Sequence, residues 1–454
     1  MLPPARRVLI LVALAALTCV PALRLPFISD DYAQIPLARQ YAAQDWAPLF
    51  HDVALRTRAT YMFLSAALDR TFGFTPLPFY AASLILHVLC VLLVYGMRVW
   101  NEVDETVAFW AACFFAVYEG NKEAVMWAAA SSDLLVFLFG MISWICWVKW
   151  FQARVGAWGW YSAAVIAFLL AAASKESVWI FPVLMLIPLL ASRFATRFAT
   201  GNATRQWSWR GVAGVAPFFA LAAIYVAWSW STRVAVPGYQ DIRFSLSAPF
   251  PLVILRSVWR LLFIWGLVAL AVLGWIGKRS DWRLVAFAAL WMAFGILPYS
   301  FLTYMLQVPS RHAYLASAGL ALLVGMAAMR LSQYRSPAPL AVLAIVVLTV
   351  NLEILWVKKI AQMRERAEPS ELLKQAAAEA SGPLTVDCAP FPDFMIEAVV
   401  NSAAVVNSAG SRVVFSHPGA DQGPACFSVH YTDRKGELVH ETRKLSAGKH
   451  GTFY

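Results

Sequence analysis

Charge is scarce in this chain. Only 14% of its 454 residues are Asp, Glu, Lys or Arg, whereas 60% are hydrophobic, and a mean hydropathy of +0.62 is more than a soluble globular domain tolerates. Cysteine is also sparse. Four of the six, Cys19, Cys90, Cys113 and Cys146, sit singly inside apolar runs and read as core residues without metal-ligand spacing. Paired apolar segments interrupted by Gly or Pro, the mark of inverted-repeat transporters, are missing as well. What charge there is sums to +11. That excess could suggest nucleic acid, but cytoplasmic loops of membrane proteins are rich in Lys and Arg for reasons of topology alone.

What the chain does have is long apolar runs. A membrane-crossing helix needs about 20 mostly apolar residues, and about eleven such stretches are read by that measure. They lie near 8–25, 79–97, 105–118, 133–149, 160–173, 178–192, 212–230, 261–277, 284–303, 313–329 and 338–357. The start, "MLPPARRVLILVALAALTCVPALRL", has the form of a cleavable signal peptide. An uncleaved first helix is preferred, because cleavage near Pro21 would give the later loops the wrong parity. With the N-terminus in the cytoplasm, about 14 basic residues fall in cytoplasmic loops, among them the four arginines of "SRFATRFATGNATRQWSWRG", and about half as many fall opposite. The expected architecture is a mainly α, multi-pass transmembrane domain over 1–357, with a long first extracytoplasmic loop (25–78), and a small extracytoplasmic α/β domain over 358–454. The bacterial inner membrane is the expected location.

In the C-terminal domain the pattern predicts a charged helix ("RERAEPSELLKQAAAEA"), a strand ("PLTVDCAP"), a helix ("DFMIEAVVNSAAVV") and three alternating strands ("SRVVFSH", "CFSVHYTD", "ELVHETRKL"). Its cysteines are Cys388 and Cys426, an even count in an oxidising compartment, which predicts a disulfide.

Ionisable groups at the ends of membrane helices are costly to bury and are functional candidates for that reason. On the predicted extracytoplasmic side they are Asp30 and Asp31, Arg56 and Arg58, Glu119, Lys122 and Glu123, Asp133, Lys175 and Glu176, Arg256 and Arg260, and Arg311 and His312. Carboxylates beside several cations at the mouth of a bundle suit chemistry on a phosphate-bearing substrate. In a sugar joined to a polyprenyl phosphate, the phosphate is a good leaving group that needs its charge neutralised, and the incoming hydroxyl needs a base.

Five stretches, in order, carry a resemblance. They are "FISDDYAQI", "RTRATYMFLSAALDRTFGFTPLPFYAASLILHVLCVLLVY", "ACFFAVYEGNKEAVMWAAASSDLLVFLF", "AAASKESVWIFPVLML" and "ILPYSFL…VPSRHAYLASAGLALL". The chain from about 8 to 330 resembles the GT-C glycosyltransferases, specifically the transmembrane and tetratricopeptide-repeat O-mannosyltransferases and their bacterial relatives. The repeats themselves are absent. Tyr118 and Glu119, Ala59, Ser310 and Ala316 depart from the family pattern and leave acceptor and donor open. The resemblance points to Asp30, Asp31, Arg58, Glu123, Asp133, Lys175, Glu176, Arg311 and Tyr314.

Each candidate has a plainer alternative. Asp30 and Asp31 could be a helix stop, Lys175 and Glu176 could pair with each other, and Arg256 and Arg260, one turn apart, could only hold lipid headgroups. His312 reads as an interfacial polar residue, His87 as a packed one, and Trp127, Trp147 and Trp179 as interfacial belts. The expected activity is transfer of a sugar, a mannose-like hexose by resemblance, from a polyprenyl phosphate to an acceptor hydroxyl on a protein or glycan. Asp30 or Asp31 would be the base and Glu123 a further catalytic group. Arg58, Lys175 and Arg311 would neutralise phosphate, with Asp133, Glu176, Arg256, Arg260 and Tyr314 around the donor. An oxygen-rich site of this kind would accept a divalent cation, but neighbouring side-chain cations can do the same work, and no cofactor, metal site or nucleic-acid partner is assigned. Other readings are transfer to a lipid or envelope glycan, a flippase for the lipid-linked sugar, or a membrane-anchored sensor.

Overall fold

The structure is a computed structural model that describes residues 3–52, 55–153, 156–199, 209–231, 249–301, 308–334, 336–391, 393–404, 413–415 and 426–445, without the side chains of 192–199, 209, 229–231, 403, 404 and 444. Much of the basic segment 192–211 therefore lies outside the described side chains.

The molecule is a mainly α, multi-pass membrane bundle with a small C-terminal α/β unit. Among the described residues seven helices are long and apolar enough to cross a membrane. A bent pair, Phe250–Leu262 and Trp265–Ile276, and three shorter apolar helices, Glu105–Val117, Trp158–Ala172 and Glu176–Ala191, complete the set. Each stretch read from the sequence falls on one of these elements. The run expected as a single span at 261–277 differs, because the chain turns by 72° between the two helices of the pair. Ile264, at φ 64°, makes that turn. The first helix of the pair is strongly two-faced, burying Val253, Ser257 and Leu261 while Leu252, Leu255 and Trp259 stay exposed.

At the centre runs the helix Tyr314–Ser332, within a span of which 89% is buried. Its small residues permit that position, as expected where membrane helices approach closely. A Cβ on Gly319 would lie 2.6 Å from the Ala288 carbonyl oxygen, and one on Gly325 2.4 Å from that of Val107. Trp147 is fully buried, stacked on Phe151 with centroids 5.2 Å apart, and Trp127 is 3% exposed. These two tryptophans are core residues and not belts, because their segments are enclosed by neighbouring helices on every side.

The predicted long first loop is itself helical. Asp30–Ala43 buries Ile35, Ala38 and Tyr41, and Ala59–Phe72 buries Tyr61, Met62 and Ala66. A two-pronged bond from Arg39 to Asp69, at 2.5 and 2.6 Å, joins them.

The helix of the last span does not stop near 357. Lys358 to Glu368 is rich in helix formers without Gly or Pro, and the helix continues past Pro369, so Ala338–Glu353, a π-turn at Ile354–Lys359 and Ile360–Glu379 form one continuous helix of 42 residues. The expected boundary between 357 and 358 falls inside it. This helix carries a four-stranded sheet made of β1 (Leu384–Cys388), β2 (Val413–Phe415), β3 (Cys426–Thr432) and β4 (Leu438–Lys444), in the order β2-β1-β3-β4. The β1–β2 pair is parallel (Thr385 opposite Val414), and the β1–β3 and β3–β4 pairs are antiparallel. Alternate residues Leu384, Val386, Phe427 and Val429 face Leu373, Ala376, Val399 and Val400 of the covering helices. Cys388 and Cys426 are joined by a disulfide across β1 and β3.

The C-terminal unit is not remote from the bundle. One apolar cluster contains Phe27, Tyr32, Ile35 and Phe79 of the membrane domain together with Leu372, Leu373 and Ala376 of the long helix.

Candidate active site

The polar side chains gather at one end of the bundle, where helix starts and short turns deliver them. The turn after the first span ends at Ser29, whose φ of 23° is unusual for a residue with a side chain, and the next helix opens with Asp30 and Asp31 in its first turn. Carboxylates are favoured there by the unpaired N–H groups and the helix dipole.

The two aspartates have different surroundings. Asp31 is fully buried. One of its oxygens accepts the Ile28 N–H at 2.9 Å and the other the Ala129 N–H at 2.7 Å, tying the turn to a segment 98 residues away. Burial pushes its carboxyl up to about 8 against the pull of those two N–H groups, and the Asp30 charge adds to the rise. Asp30 is half-buried and has no hydrogen-bond partner among the described residues; the charges it feels are the guanidiniums of Arg311 and Arg58. Burial raises its carboxyl above the ordinary range, and the two cations partly hold it down.

Arg58 lies 3.7 Å from Glu176, which also accepts the Thr57 hydroxyl at 2.8 Å. Neighbouring Lys175 points elsewhere. Its Nζ is 2.6 Å from Asp133 Oδ2 and 3.3 Å from His312 Nδ1. Burial lowers the Lys175 ammonium to about 8 although Asp133 supports it, and Arg58 and Arg311 lower it further. Tyr299 completes this group, with its hydroxyl 3.3 Å from Asp133 and its ring stacked on His312 at 4.1 Å. His312 is thus buried beside Asp133 and is not an interfacial residue. The short turn Arg311–Ala313 directs its ring inward onto Tyr299.

Glu123 forms a third centre. It accepts the Arg311 backbone N–H at 3.3 Å and lies 3.2 Å from the Arg366 guanidinium. Burial acts to raise its carboxyl, but Arg366 and Arg311 outweigh that and hold it at about 2. The Arg311 guanidinium lies over the Trp127 indole, 4.5 Å from its centroid, and Arg366 approaches the same ring at 6.0 Å. Next to Glu123, buried Lys122 is lowered to about 7 by burial and by Lys359, whose ammonium also lies 3.9 Å from Glu119.

Other sequence candidates stay outside this group. Tyr314 is buried between Phe115 and Phe137, with its hydroxyl 2.7 Å from His87 Nδ1. Arg56 lies over Trp228 at 4.2 Å. Arg260 donates to the Val308 carbonyl at 3.3 Å, close to the Arg311 turn, whereas Arg256 is exposed one turn earlier. Among the described residues no three His, Cys, Asp or Glu side chains gather as a metal-ligand set.

Three groups near the aspartates come from the long C-terminal helix. Besides Arg366, Ser370 Oγ accepts the Ser29 N–H at 3.2 Å, and Glu371 accepts the Tyr32 hydroxyl at 2.6 Å. Sequence reasoning placed this helix in a separate domain. The one available signal was the run of helix formers without Gly or Pro from Lys358 to Glu368.

No family model and no curated protein matches the chain. Among solved structures it is similar to ArnT from Cupriavidus metallidurans bound to undecaprenyl phosphate, at 14% identity over 90% of each chain with a TM-score of 0.50. The apo state of the same protein gives 15% identity over 90% of this chain and 89% of that one, with a TM-score of 0.51. The archaeal oligosaccharyltransferase AglB from Archaeoglobus fulgidus, in complex with an inhibitory peptide and a dolichol-phosphate, covers 97% of this chain and 74% of its own at 11% identity and a TM-score of 0.51. At these identities the likeness establishes the fold, which is GT-C-like.

Proposed function

We propose that the chain is a membrane glycosyltransferase that moves a sugar from a polyprenyl-phosphate carrier to an acceptor hydroxyl, with Asp30 as general base and inversion at the sugar carbon. The observation that carries the reading is Asp30 itself, a carboxylate without a hydrogen bond of its own among the described residues, facing Arg58 and Arg311. The fold adds support, since the similar structures hold undecaprenyl phosphate or a dolichol-phosphate. The Lys and Arg bias of the loops supports an extracytoplasmic site and a cytoplasmic N-terminus.

In the proposed step the acceptor oxygen attacks the anomeric carbon and gives its proton to Asp30. The bond from that carbon to the phosphate oxygen breaks, and its electron pair leaves with the polyprenyl phosphate. Arg58, Lys175 and Arg311 neutralise the charge that develops there, a role for which guanidinium suits phosphate geometry. Asp31 is the less suitable base, because both its oxygens already accept backbone N–H groups. Glu123, Asp133 and Glu176 then act by holding Arg311, Lys175 and Arg58 in place. The mannose-like sugar and the protein or glycan acceptor rest on the family resemblance. Where Asp30 and a phosphate meet, a divalent cation is chemically acceptable and would add to the neutralisation.

The test is release of polyprenyl phosphate from a synthetic polyprenyl-phosphate mannose by the protein reconstituted in liposomes. Release that Asp30→Asn leaves unchanged overturns the chemistry. Movement of the intact lipid between leaflets without cleavage would make the protein a flippase.

A further inference from the structure

The long C-terminal helix touches the membrane domain where the proposed chemistry occurs, and on both sides of the aspartate pair. Ahead of it, the Ser29 N–H is bound by Ser370; after it, the Tyr32 hydroxyl is bound by Glu371. Ser29 is buried in a backbone conformation that a residue with a Cβ seldom adopts. Such a conformation persists when its surroundings over-determine it, and Ser370 supplies one of those constraints. A turn further back, Arg366 reaches Glu123 at 3.2 Å. The other oxygen of Glu123 holds the backbone N–H of Arg311, whose guanidinium rests on Trp127 and faces Asp30. The contacts run from Arg366 through Glu123 and Arg311 to the space before Asp30.

We infer that this helix is a structural wall of the catalytic centre, and that Arg366 is a positioning residue that acts through Glu123 to fix Arg311 for the donor phosphate. The inference rests on the glycosyltransferase reading. The sheet beyond the helix is consequently anchored to the site and does not trail from it as an independent domain. Arg366 is 28% exposed at its side chain and Glu123 9%, so Arg366 lies at the edge of the enclosed centre and reaches inward to it.

The experiment compares donor kinetics and binding of polyprenyl phosphate, followed by native mass spectrometry, in full-length protein in detergent. Arg366→Gln is expected to raise KM for the polyprenyl-phosphate sugar and weaken polyprenyl phosphate binding about tenfold, and to lower kcat as well, because Arg311 meets the charge that develops on the leaving phosphate. Arg366→Lys, which keeps the charge, should recover part of that loss. Because Arg366 acts through Glu123, Glu123→Gln with Arg366→Gln should lose no more than Glu123→Gln alone. Additive losses, or an Arg366→Gln protein with unchanged KM and binding, overturn the inference. Should Arg366→Gln fail to fold, Arg366→Lys decides, since its KM must then lie above that of the native protein. An Asp30→Asn protein that still turns over donor would instead overturn the underlying activity, so the two failures are separable.

Discussion

Lys175 Nζ and Asp133 Oδ2 lie 2.6 Å apart, with side chains only 5% and 4% exposed. Removing one member of so enclosed a pair leaves the other charge without compensation, at a cost of about 3–5 kcal/mol. Lys175→Met alone and Asp133→Asn alone should therefore each lower the melting temperature sharply. The double substitution should recover much of the loss while activity stays absent. Thermal unfolding in detergent reads both effects.

The aspartates are expected to separate by phenotype. Asp30→Asn should reduce turnover by about 10²–10⁴ with little change in melting temperature, because Asp30 makes no hydrogen bond among the described residues. Asp31→Asn should mainly destabilise, by about 1–3 kcal/mol. An amide can accept only one of the two N–H groups that Asp31 holds, and its NH2 would face the other. The comparison needs only turnover and melting curves on the same preparations.

Asp30 must be ionised to accept a proton, so activity should rise with pH through its raised pKa. Burial is the larger influence there, and Arg311 and Arg58 work against it. Taking away either cation removes support for the charged form. Arg58→Gln should accordingly move the acid limb of kcat/KM to higher pH. Glu123 behaves oppositely in stability. Its folded pKa of about 2 lies below the ordinary 4.5, so the stability it contributes is present above pH 4.5 and is lost as pH falls toward 2. Chemical unfolding across that window measures the loss.

The disulfide links positions separated by 38 residues, a loop whose closure is worth about 4 kcal/mol on chain entropy. Cys388→Ser with Cys426→Ser should make the sheet susceptible to protease at concentrations that leave the native protein intact. Limited proteolysis with and without reductant gives the same comparison without mutation.

Much of this arrangement was legible before any coordinates. The apolar runs gave the order of the helices, because membrane burial imposes a length that composition cannot hide. Alternation gave the strands of the C-terminal unit. The residues around Asp30 were readable as a group because each charge ends an apolar run on one predicted face. What was not legible depended on distant partners. The distinction between Asp30 and Asp31 comes from Ala129, 98 positions away, and the place of Arg366 comes from Glu123 across the fold. Trp127, Trp147 and His312 were misread because a one-dimensional pattern marks where an aromatic stands on the chain and not whether other helices enclose it.

The glycines that seat the Tyr314–Ser332 helix against the Ala288 and Val107 carbonyls leave no room there for a larger residue. Arg311 and His312 immediately precede its first turn. The Arg311 guanidinium that faces Asp30 is thus carried at the start of a helix enclosed by its neighbours. On the proposed chemistry, enlarging Gly319 or Gly325 would displace the start of this helix and with it the cation that meets the phosphate.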